Sequence, residues 1–364
     1  MIKIGLLGAN GQVGTEVAFH LSLKHDIDIL CLIRSEYSAA LFKLLAIPYK
    51  VVDYSDKKTL SQLLSSFDVV LDFSYTSGEV SDILKWIKKH VESVISGMRA
   101  HSKYFYMSSI MAYGVPNPAD HLRNYLFPRT VYAYSKRCAE STARKMGNKY
   151  QVDIYNFRLG QVHGPLQMVT QLFISKLRTG KLYVNGAPQS LTNTVFTHSI
   201  SEAISKCIQG NVIPRTYTIV SFPQWTSEEL FHFYENRYGF NAEIKYVGAA
   251  RTGQFYLVSR FDALKKMRSL RDLVETYFLI NCPSVAFRIK GCFRRKAAQG
   301  EISMMHPEDE IYPMLLGPVP EVPAPTVPNI KSAIPETQKS MDHFETTLFK
   351  VIDKAKKKAS VTST

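Results

Sequence analysis

A tyrosine and a lysine four residues apart, Tyr132 and Lys136, are the first pair whose side chains suggest chemistry. Their segment has helical character, and residues with this spacing lie on one face of a helix. A free phenol is a poor acid at neutral pH, but a nearby ammonium stabilises the phenolate and so lowers the pKa of the tyrosine. We therefore expect Tyr132 to donate or accept a proton, with Lys136 adjusting its acidity.

A hydroxyl group that orients the reacting oxygen of a substrate would complete such a site, and Ser109 is the candidate. It lies just beyond an apolar run at residues 104–107, which predicts a buried strand. A Tyr-x-x-x-Lys motif is common by chance. The interpretation therefore depends on its combination with Ser109 and with a glycine motif near the N-terminus.

That glycine motif predicts where a phosphate would bind. The segment Gly8-Ala-Asn-Gly11-Gln-Val-Gly14 directly follows the first apolar run and opens the first helical stretch. Glycines let the backbone turn sharply and approach a pyrophosphate without a Cβ in the way, and amides at a helix N-terminus favour the anion. In this context the motif predicts NAD or NADP rather than an ordinary glycine-rich turn. The expected contacts are Gly8, Asn10, Gly11, Gln12, Val13 and Gly14.

The end of the second strand should face the adenosine ribose and so discriminates between the two cofactors. An acid there favours NAD, whereas a basic residue favours the phosphate of NADP. Arg34 follows the apolar run 27–33 and can hold a phosphate through two parallel hydrogen bonds. This favours NADP over NAD, with a surface arginine that begins a loop as the alternative. Further contacts, with strand-end caps as the alternative, are expected from Asp53, Tyr54, Phe73 and Ser74.

The elements that must position these residues alternate between strand and helix. Buried strands are predicted from apolar runs at residues 2–7, 27–33, 49–52, 69–73, 104–107 and 152–157. Helical spacing is found between them at residues 13–23, 59–66, 80–95 and 131–146. Short apolar strands joined by helices predict an α/β protein with a Rossmann doubly wound parallel sheet and a smaller C-terminal substrate-binding region.

The alternation loosens after about residue 164, which suggests three parts. Residues 1–164 are predicted to form an NAD(P)-binding Rossmann domain, residues 165–316 a substrate-binding region that returns in part to the sheet, and residues 317–364 a proline-rich linker and a helix. The helix, predicted over residues 340–357, has Phe344, Leu348 and Ile352 on one face. Because that face is narrow, we favour docking on the parent domain or a partner over membrane binding.

Composition narrows the class of protein. The five cysteines are scattered without zinc or redox spacing, so we expect reduced thiols, no metal site and a cytoplasmic location. No run approaches the roughly 20 apolar residues that span a bilayer, so no transmembrane segment is expected. The net charge of +14 allows an anionic partner. Because no recognition module accompanies that charge, we expect a small-molecule substrate and no nucleic acid partner.

Together these motifs resemble the extended short-chain dehydrogenase/reductase family, in its nucleotide-sugar epimerase/dehydratase/reductase branch. The resemblance covers roughly residues 1–250. The segments that carry it are residues 8–14, Asp53, and residues 108–114, 132–136 and 158–165. The glycine motif is also similar to that of the dTDP-4-dehydrorhamnose reductases, which use a reduced nicotinamide on a 4-keto sugar.

The resemblance implies a role for each catalytic candidate. Ser109 matches the family's catalytic hydroxyl, which falls four residues before Tyr113. Tyr132 matches the acid/base, and Lys136 matches the residue that holds the nicotinamide ribose and tunes Tyr132. Gln161 matches a substrate-contacting position in the loop after the sixth strand. Family members are often dimers through a helix pair that includes the tyrosine-bearing helix, so a homodimer is expected from the resemblance.

The chain departs from the family's pattern at places that bear on the substrate. His163 stands where family members usually carry Tyr, and it is a candidate substrate ligand or acid, with a packed loop histidine as the alternative. Thr192 and Ser199 stand where nucleotide-sugar enzymes often carry an Arg and an Asp. The candidates to replace that Arg in diphosphate recognition are Arg178, Lys181 and Arg215.

These observations predict an NAD(P)-dependent oxidoreductase or epimerase that transfers hydride at a carbonyl or hydroxyl of a sugar, with a nucleotide-linked sugar favoured. Ile110 and Met111 occupy the places where dehydratases of the family usually have an Asp-Glu pair. Neither side chain can move a proton, so reduction or epimerisation is favoured over dehydration. Two alternatives stay open: an NADPH-dependent reductase of a non-sugar ketone, and a non-catalytic protein that senses NAD(P).

Overall fold

A parallel sheet of seven strands forms the centre of the computed structural model, which describes residues 1–76, 80–113, 131–185, 187–210, 212–221, 223–247 and 334–362. The strands in these ranges are β1 (Ile2–Leu7), β2 (Ile27–Ile33), β3 (Tyr49–Val51), β4 (Val69–Asp72), β5 (Lys103–Ser109), β6 (Asp153–Leu159), β7 (Gln161–His163), β8 (Lys181–Asn185), β9 (Thr194–Phe196), β10 (Thr216–Ile219) and β11 (Glu243–Val247). The α-helices are α1 (Gln12–Ser22), α2 (Ala40–Leu45), α3 (Lys57–Leu64), α4 (Val80–Gly97), α5 (Val131–Tyr150), α6 (Met168–Arg178), α7 (Thr197–Gln209), α8 (Ser227–Tyr238) and α9 (Ile334–Thr362).

The central sheet has the strand order β10-β6-β5-β4-β1-β2-β3, and its neighbouring strands are parallel. The direction of this order reverses between β1 and β4, because β1 pairs with β2 on one side and with β4 on the other. In doubly wound sheets the ligand crevice lies at such a switch point, outside the carboxyl ends of the strands. The predicted fold class is confirmed, and the switch point shows where a cofactor site should lie.

Helices cover the sheet on both faces, which explains why its strands read as continuous apolar runs. Successive side chains of a strand point to opposite faces. In β1, Leu6 packs into the layer that contains α1 and α7, whereas Leu7 packs into the layer that contains α3, α4 and α5. Both leucines are fully buried. Helices α1 and α5 thus lie on opposite faces of one sheet.

Two small parallel pairs, β7–β9 and β8–β11, lie outside the central sheet. A third apolar cluster joins α6 and α8 to β8, with Trp225, Phe231 and Tyr234 among its buried rings. Strand β10 comes from the same part of the chain but pairs with β6 in the central sheet. The predicted division at residues 164 and 316 stays a prediction.

Helix α9 confirms the predicted C-terminal helix and extends it at both ends. Phe344 is fully buried, and its ring lies 4.8 Å from that of Phe19 on α1. Met341 belongs to the cluster around α6 and α8. Arg237 on α8 binds Asp342 at 2.7 Å and Glu345, also on α9, at 2.8 Å. The helix therefore docks on the parent domain, as favoured from its narrow apolar face, and contacts both α1 and α8.

Two predictions about the C-terminal part meet the limits of the described chain. The proline-rich linker at residues 317–333 lies outside the described residues, as does the side chain of Ile352. None of the described helices is both long and apolar enough to cross a membrane.

Candidate active site

A cavity of about 300 Å³ opens at the carboxyl edge of the sheet, beside the switch point between β1 and β4. It brings together the glycine turn, the segment after β4, the end of β5, one face of α5 and the end of β6. Its lining residues are Gly8, Gly11, Gln12, Val13, Gly14, Phe73, Tyr75, Met107, Ser108, Ser109, Tyr132, Lys136, Leu159, Gly160 and Val162.

The glycine turn has the shape that a pyrophosphate requires. Gly8 has a φ of +69°, which side chains disfavour, and a Cβ there would lie 2.6 Å from the carbonyl carbon of Phe73. A Cβ on Gly14 would lie 2.6 Å from the carbonyl oxygen of Gly8. Helix α1 begins just after Gly11, and no side chain caps its N-terminus. Its first amides are therefore available to an anion, so the residues present fit the cofactor that the motif implies.

The three predicted catalytic residues lie together on the opposite wall. Lys136 is 5% exposed and donates a hydrogen bond to the carbonyl oxygen of Met107 at 2.7 Å. Its Nζ lies 5.6 Å from the centre of the Tyr132 ring, one helical turn earlier on α5. A hydrogen bond links Ser109 to the Tyr132 hydroxyl. This arrangement can hold one substrate oxygen between a serine and a tyrosine.

The expected acidity of Tyr132 is not found. Loss of hydration around its hydroxyl raises the pKa of Tyr132, and the neighbouring Tyr75 adds to the rise, while the bond to Ser109 opposes it. The prediction that Lys136 lowers this pKa was wrong, because the ammonium lies over the ring and binds the Met107 carbonyl rather than the phenol oxygen. Tyr132 is therefore a protonated phenol at neutral pH and can donate its proton.

The ammonium of Lys136 is surrounded by aromatic rings. The ring centres of Tyr106, Tyr75 and Tyr132 lie 5.0, 5.3 and 5.6 Å from its Nζ, within the range of cation–π attraction. Burial lowers the pKa of Lys136 to about 8, and the charges of Asp72 and Glu140 oppose that fall. Sequence reasoning missed Tyr75, whose ring meets that of Tyr132 edge-on at 5.2 Å.

A buried ion pair lies beside the catalytic residues, on the same face of α5. Glu140 accepts two hydrogen bonds from Arg158 on β6, at 2.9 and 2.6 Å, and a third from the hydroxyl of Ser108 at 2.5 Å. Glu140 lies one turn after Lys136 on the same helix face, a spacing that would have indicated it. The pair ties α5 to β5 and β6 and so fixes the position of the Tyr132–Lys136 face.

The residues predicted to bind the adenosine end lie at the ends of β2 and β3. Arg34 is exposed directly after β2. The carboxylate of Asp53 is engaged locally, where it accepts from the amide and the hydroxyl of Ser55 at 2.8 and 2.7 Å. Tyr54 donates to the carbonyl oxygen of Leu32 at 3.2 Å. Phe73 lines the cavity, whereas Asn10, Arg34, Asp53, Tyr54 and Ser74 are not among its lining residues.

The two predicted substrate contacts behave differently. Gln161 is half-buried on β7, between Gly160 and Val162, which line the cavity. His163 is fully buried, its Nδ1 lies 2.8 Å from the Tyr234 hydroxyl, and burial lowers its pKa to about 3. The structure therefore contradicts a substrate-binding or acid role for His163. The alternative, a packed loop histidine, describes it.

The candidates for diphosphate recognition are not brought to the cavity walls. Arg178 lies 5.8 Å from the ring of Phe240. Arg215 directly precedes β10, so it lies at the amino edge of the sheet, opposite the cavity. Thr192, in the place of the usual Arg, donates its hydroxyl to the carbonyl oxygen of Trp225 at 3.0 Å. Within the described chain, no group of three or more His, Cys, Asp or Glu side chains could hold a metal ion.

Known structures share the fold. A UDP-N-acetylglucosamine 4-epimerase from Bacillus cereus matches with a TM-score of 0.56 and 18% identity, over 70% of this chain and 88% of that one. A UDP-glucuronic acid 4-epimerase from Bacillus cereus, in complex with UDP-glucuronic acid and NAD, matches with a TM-score of 0.53 and 15% identity, over 68% and 86%. A UDP-glucose 4-epimerase from Thermotoga maritima, with UDP-glucose, matches with a TM-score of 0.53 and 14% identity, over 68% and 86%.

The sequence itself carries the family signal. No curated protein matches it. The NAD dependent epimerase/dehydratase family matches residues 4–212, which include the glycine turn, Ser109 and the Tyr132–Lys136 face. Since this match covers more than half of the 364 residues, the chain belongs to the NAD dependent epimerase/dehydratase family of extended short-chain dehydrogenases/reductases.

Proposed function

We propose that the protein is an NAD(P)-dependent enzyme that transfers hydride at a sugar carbon, with reduction or epimerisation as its reaction. The observation that carries the proposal is one cavity with a glycine turn on one wall and Ser109, Tyr132 and Lys136 on the other. The glycine turn would hold the cofactor's pyrophosphate through the amides that open α1. A bound nicotinamide supplies or accepts the hydride at the substrate carbon.

The residues of the chain handle the proton and the oxygen. In the reducing direction, hydride adds to the carbonyl carbon while the phenol of Tyr132 gives its proton to the carbonyl oxygen. Ser109 holds the same oxygen, and its hydrogen bond favours the phenolate left behind. Lys136 would hold the ribose of the nicotinamide.

The substrate that we favour is a nucleotide-linked sugar. The support comes from the structural neighbours, two of which hold UDP-glucuronic acid or UDP-glucose. A reductase of a non-sugar ketone is the second candidate. It is favoured by the cavity walls, since Lys136 is the one cation among the described lining residues and is already committed to the reaction. A cation from Lys181 or from outside the described residues would be needed to hold a substrate diphosphate.

We also propose that NADP is preferred over NAD. Arg34 is exposed immediately after β2, where the adenosine ribose should lie, and it can pair with a phosphate.

The expected homodimer through a helix pair that includes α5 stays a prediction, and size-exclusion chromatography with light scattering tests it.

The first experiment is to denature the purified protein and identify any nicotinamide released, alongside NADPH and NADH titrations. Reversible binding of NADPH, tighter than NADH and weakened in Arg34→Ala, supports a reductase with NADP preference. Tightly retained NAD instead indicates an epimerase-like cycle and contradicts the role of Arg34. If the protein neither retains nor binds a nicotinamide, the proposed function is wrong.

The second experiment identifies the substrate class. Turnover of UDP-glucose, UDP-glucuronic acid and a 4-keto sugar is compared with turnover of non-sugar ketones. Activity with the ketones alone supports the second candidate. Tyr132→Phe should lower turnover of the active substrate by at least about 100-fold, because it removes the proton donor. Unchanged turnover in this variant contradicts the catalytic assignment.

A further inference from the structure

Asp72 is a buried carboxylate at the carboxyl end of β4 that the proposed reaction does not use. Its side chain is fully buried, and both of its oxygens are occupied. Oδ1 accepts from the amide of Ser74 at 2.8 Å, and Oδ2 accepts from the hydroxyl of Tyr104 at 2.6 Å. Nε2 of His90 lies 3.0 Å from Oδ2. Since an uncompensated buried charge is costly, a carboxylate at this place calls for an explanation.

Asp72 lies in the same layer of the molecule as Lys136. It is the register partner of Tyr106 on β5, and register partners in a sheet point to the same face. That face is the one covered by α4 and α5, where the Tyr106 ring is buried 5.0 Å from the Nζ of Lys136. Asp72 therefore approaches the ammonium from the strand side of this layer.

Lys136 needs a compensating negative charge, because its ammonium is buried and its hydrogen bond goes to a neutral carbonyl. Two carboxylates act on it, and the effect of Asp72 is larger than that of Glu140. Glu140 shares a two-point ion pair with Arg158, and that positive charge offsets its field. Among the described residues, Asp72 thus exerts the larger of the two effects on the ammonium.

We propose that Asp72 is a positioning residue for the reaction, which acts through Lys136: its carboxylate, held by His90 and Tyr104, keeps the Lys136 ammonium charged. The ring of His90 stacks on that of Trp86 at 4.6 Å and an angle of 8°, which fixes it against Asp72. The proposal rests on the role proposed for Lys136. The charge of the Lys136 side chain, on which the proposal depends, can be measured without a substrate.

Within the described parts of the chain, few ionisable groups surround the pair. Those that face Lys136 are Asp72 from β4, Tyr75 after β4, Tyr106 from β5, and Tyr132 and Glu140 from α5. Those that face Asp72 are His90 from α4, Tyr104 and Tyr106 from β5, Tyr54 after β3, and Lys136. Because phenols are neutral at neutral pH, Asp72 and Glu140 supply the negative charge that acts on the ammonium.

Competitive labelling of the full chain with acetic anhydride over pH 6–10 tests the proposal. Mass spectrometry of the peptide that contains Lys136 gives the pH at which this amine loses its proton. We expect a midpoint near pH 8 in the wild type. In Asp72→Asn the midpoint should fall by about one pH unit or more, because a nearby opposite charge is removed. Tyr104→Phe is the matched control, since it removes a hydrogen bond to Asp72 but leaves the charge, and its midpoint should equal that of the wild type.

Equal midpoints in the wild type and Asp72→Asn would overturn the proposal, as would a wild-type midpoint below pH 7. If the Asn variant does not fold, Asp72→Ser removes the charge and leaves room for a water molecule, and the same downward shift is expected. NADPH titrations of the same proteins separate this inference from the proposed function. A shifted midpoint without NADPH binding in any protein supports the positioning role and contradicts the proposed function.

Discussion

Gly164 has no room for a side chain, because a Cβ at this position would lie 2.1 Å from Oε2 of Glu16. Glu16 is fully buried on α1 and accepts hydrogen bonds from the amide of Leu166 at 2.7 Å, the side chain of Gln167 at 2.8 Å and the hydroxyl of Thr197 at 2.7 Å. The helix that begins at the glycine turn is thereby tied to the loop that follows β7 and to the start of α7.

Gly164→Ala should therefore destabilise the protein by about 1–3 kcal/mol, because the new methyl group forces Glu16 or the loop to shift. The free energy of unfolding in urea measures this cost. The double variant with Glu16→Ala should cost less than the sum of the two single variants, since the clash is then absent. Additive costs would show that the contact between Gly164 and Glu16 is not the cause of the stability loss in Gly164→Ala.

Glu16 should also make stability depend on pH. Burial raises its pKa from the ordinary value of 4.5 to about 7, and the bonds from Gln167, Thr197 and Leu166 only partly oppose this. The folded state thus keeps a proton that the unfolded state loses. The associated stability is fully present below pH 4.5 and is lost as the pH rises towards 7, by about 3 kcal/mol.

Urea unfolding of the wild type and Glu16→Gln between pH 4.5 and 8 checks this expectation. The amide stays neutral, and the Thr197 hydroxyl can turn to accept from it. The stability of the wild type relative to this variant should therefore fall as the pH rises, and the comparison cancels other groups such as the buried His163. A difference that stays constant, or that grows with pH, would contradict the raised pKa.

Local patterns predicted the parts of the site that local geometry determines. The turn at Gly8 follows from a steric requirement on a few consecutive residues, and the shared face of Tyr132 and Lys136 follows from helical spacing. The short strands β7 and β9 were missed, because they pair with each other across more than 30 residues of sequence and no local pattern shows that pairing.

Buried electrostatics could not be predicted in the same way. Glu16 meets Leu166 and Gln167 across 150 and 151 positions of sequence, and no spacing rule connects residues so far apart. The acidity of Tyr132 was predicted with the wrong sign, because spacing places an ammonium nearby but does not reveal the dehydration of the phenol. The charge environment of the site could therefore be determined only from the structure.

Helix α9 offers a matched pair of phenylalanines. Phe344 is fully buried against Phe19, whereas Phe349, five residues later, is 62% exposed. Phe344→Ala should cost about 3–5 kcal/mol of unfolding free energy, because it removes a buried ring and leaves a cavity. Phe349→Ala should change it by less than about 0.5 kcal/mol. Equal effects in urea unfolding would mean that the helix does not dock through Phe344.

The buried ion pair between Glu140 and Arg158 should contribute far more to the free energy of unfolding than an exposed ion pair does. Arg158→Met leaves the carboxylate of Glu140 buried, with a hydrogen bond from the hydroxyl of Ser108, and breaking a buried pair in this way costs about 3–5 kcal/mol. The double variant with Glu140→Gln should recover much of that loss, because the amide carries no charge and can still accept from Ser108.

The exposed pair Arg99–Asp68 is the control for this prediction, since its side chains are 51% and 38% exposed. Arg99→Met should cost less than about 1 kcal/mol, because water screens the charges of such a pair. Urea unfolding of all three variants gives the comparison. A double variant as unstable as Arg158→Met alone would show that the loss comes from the packing of the arginine stem rather than from an unpaired charge beneath α5.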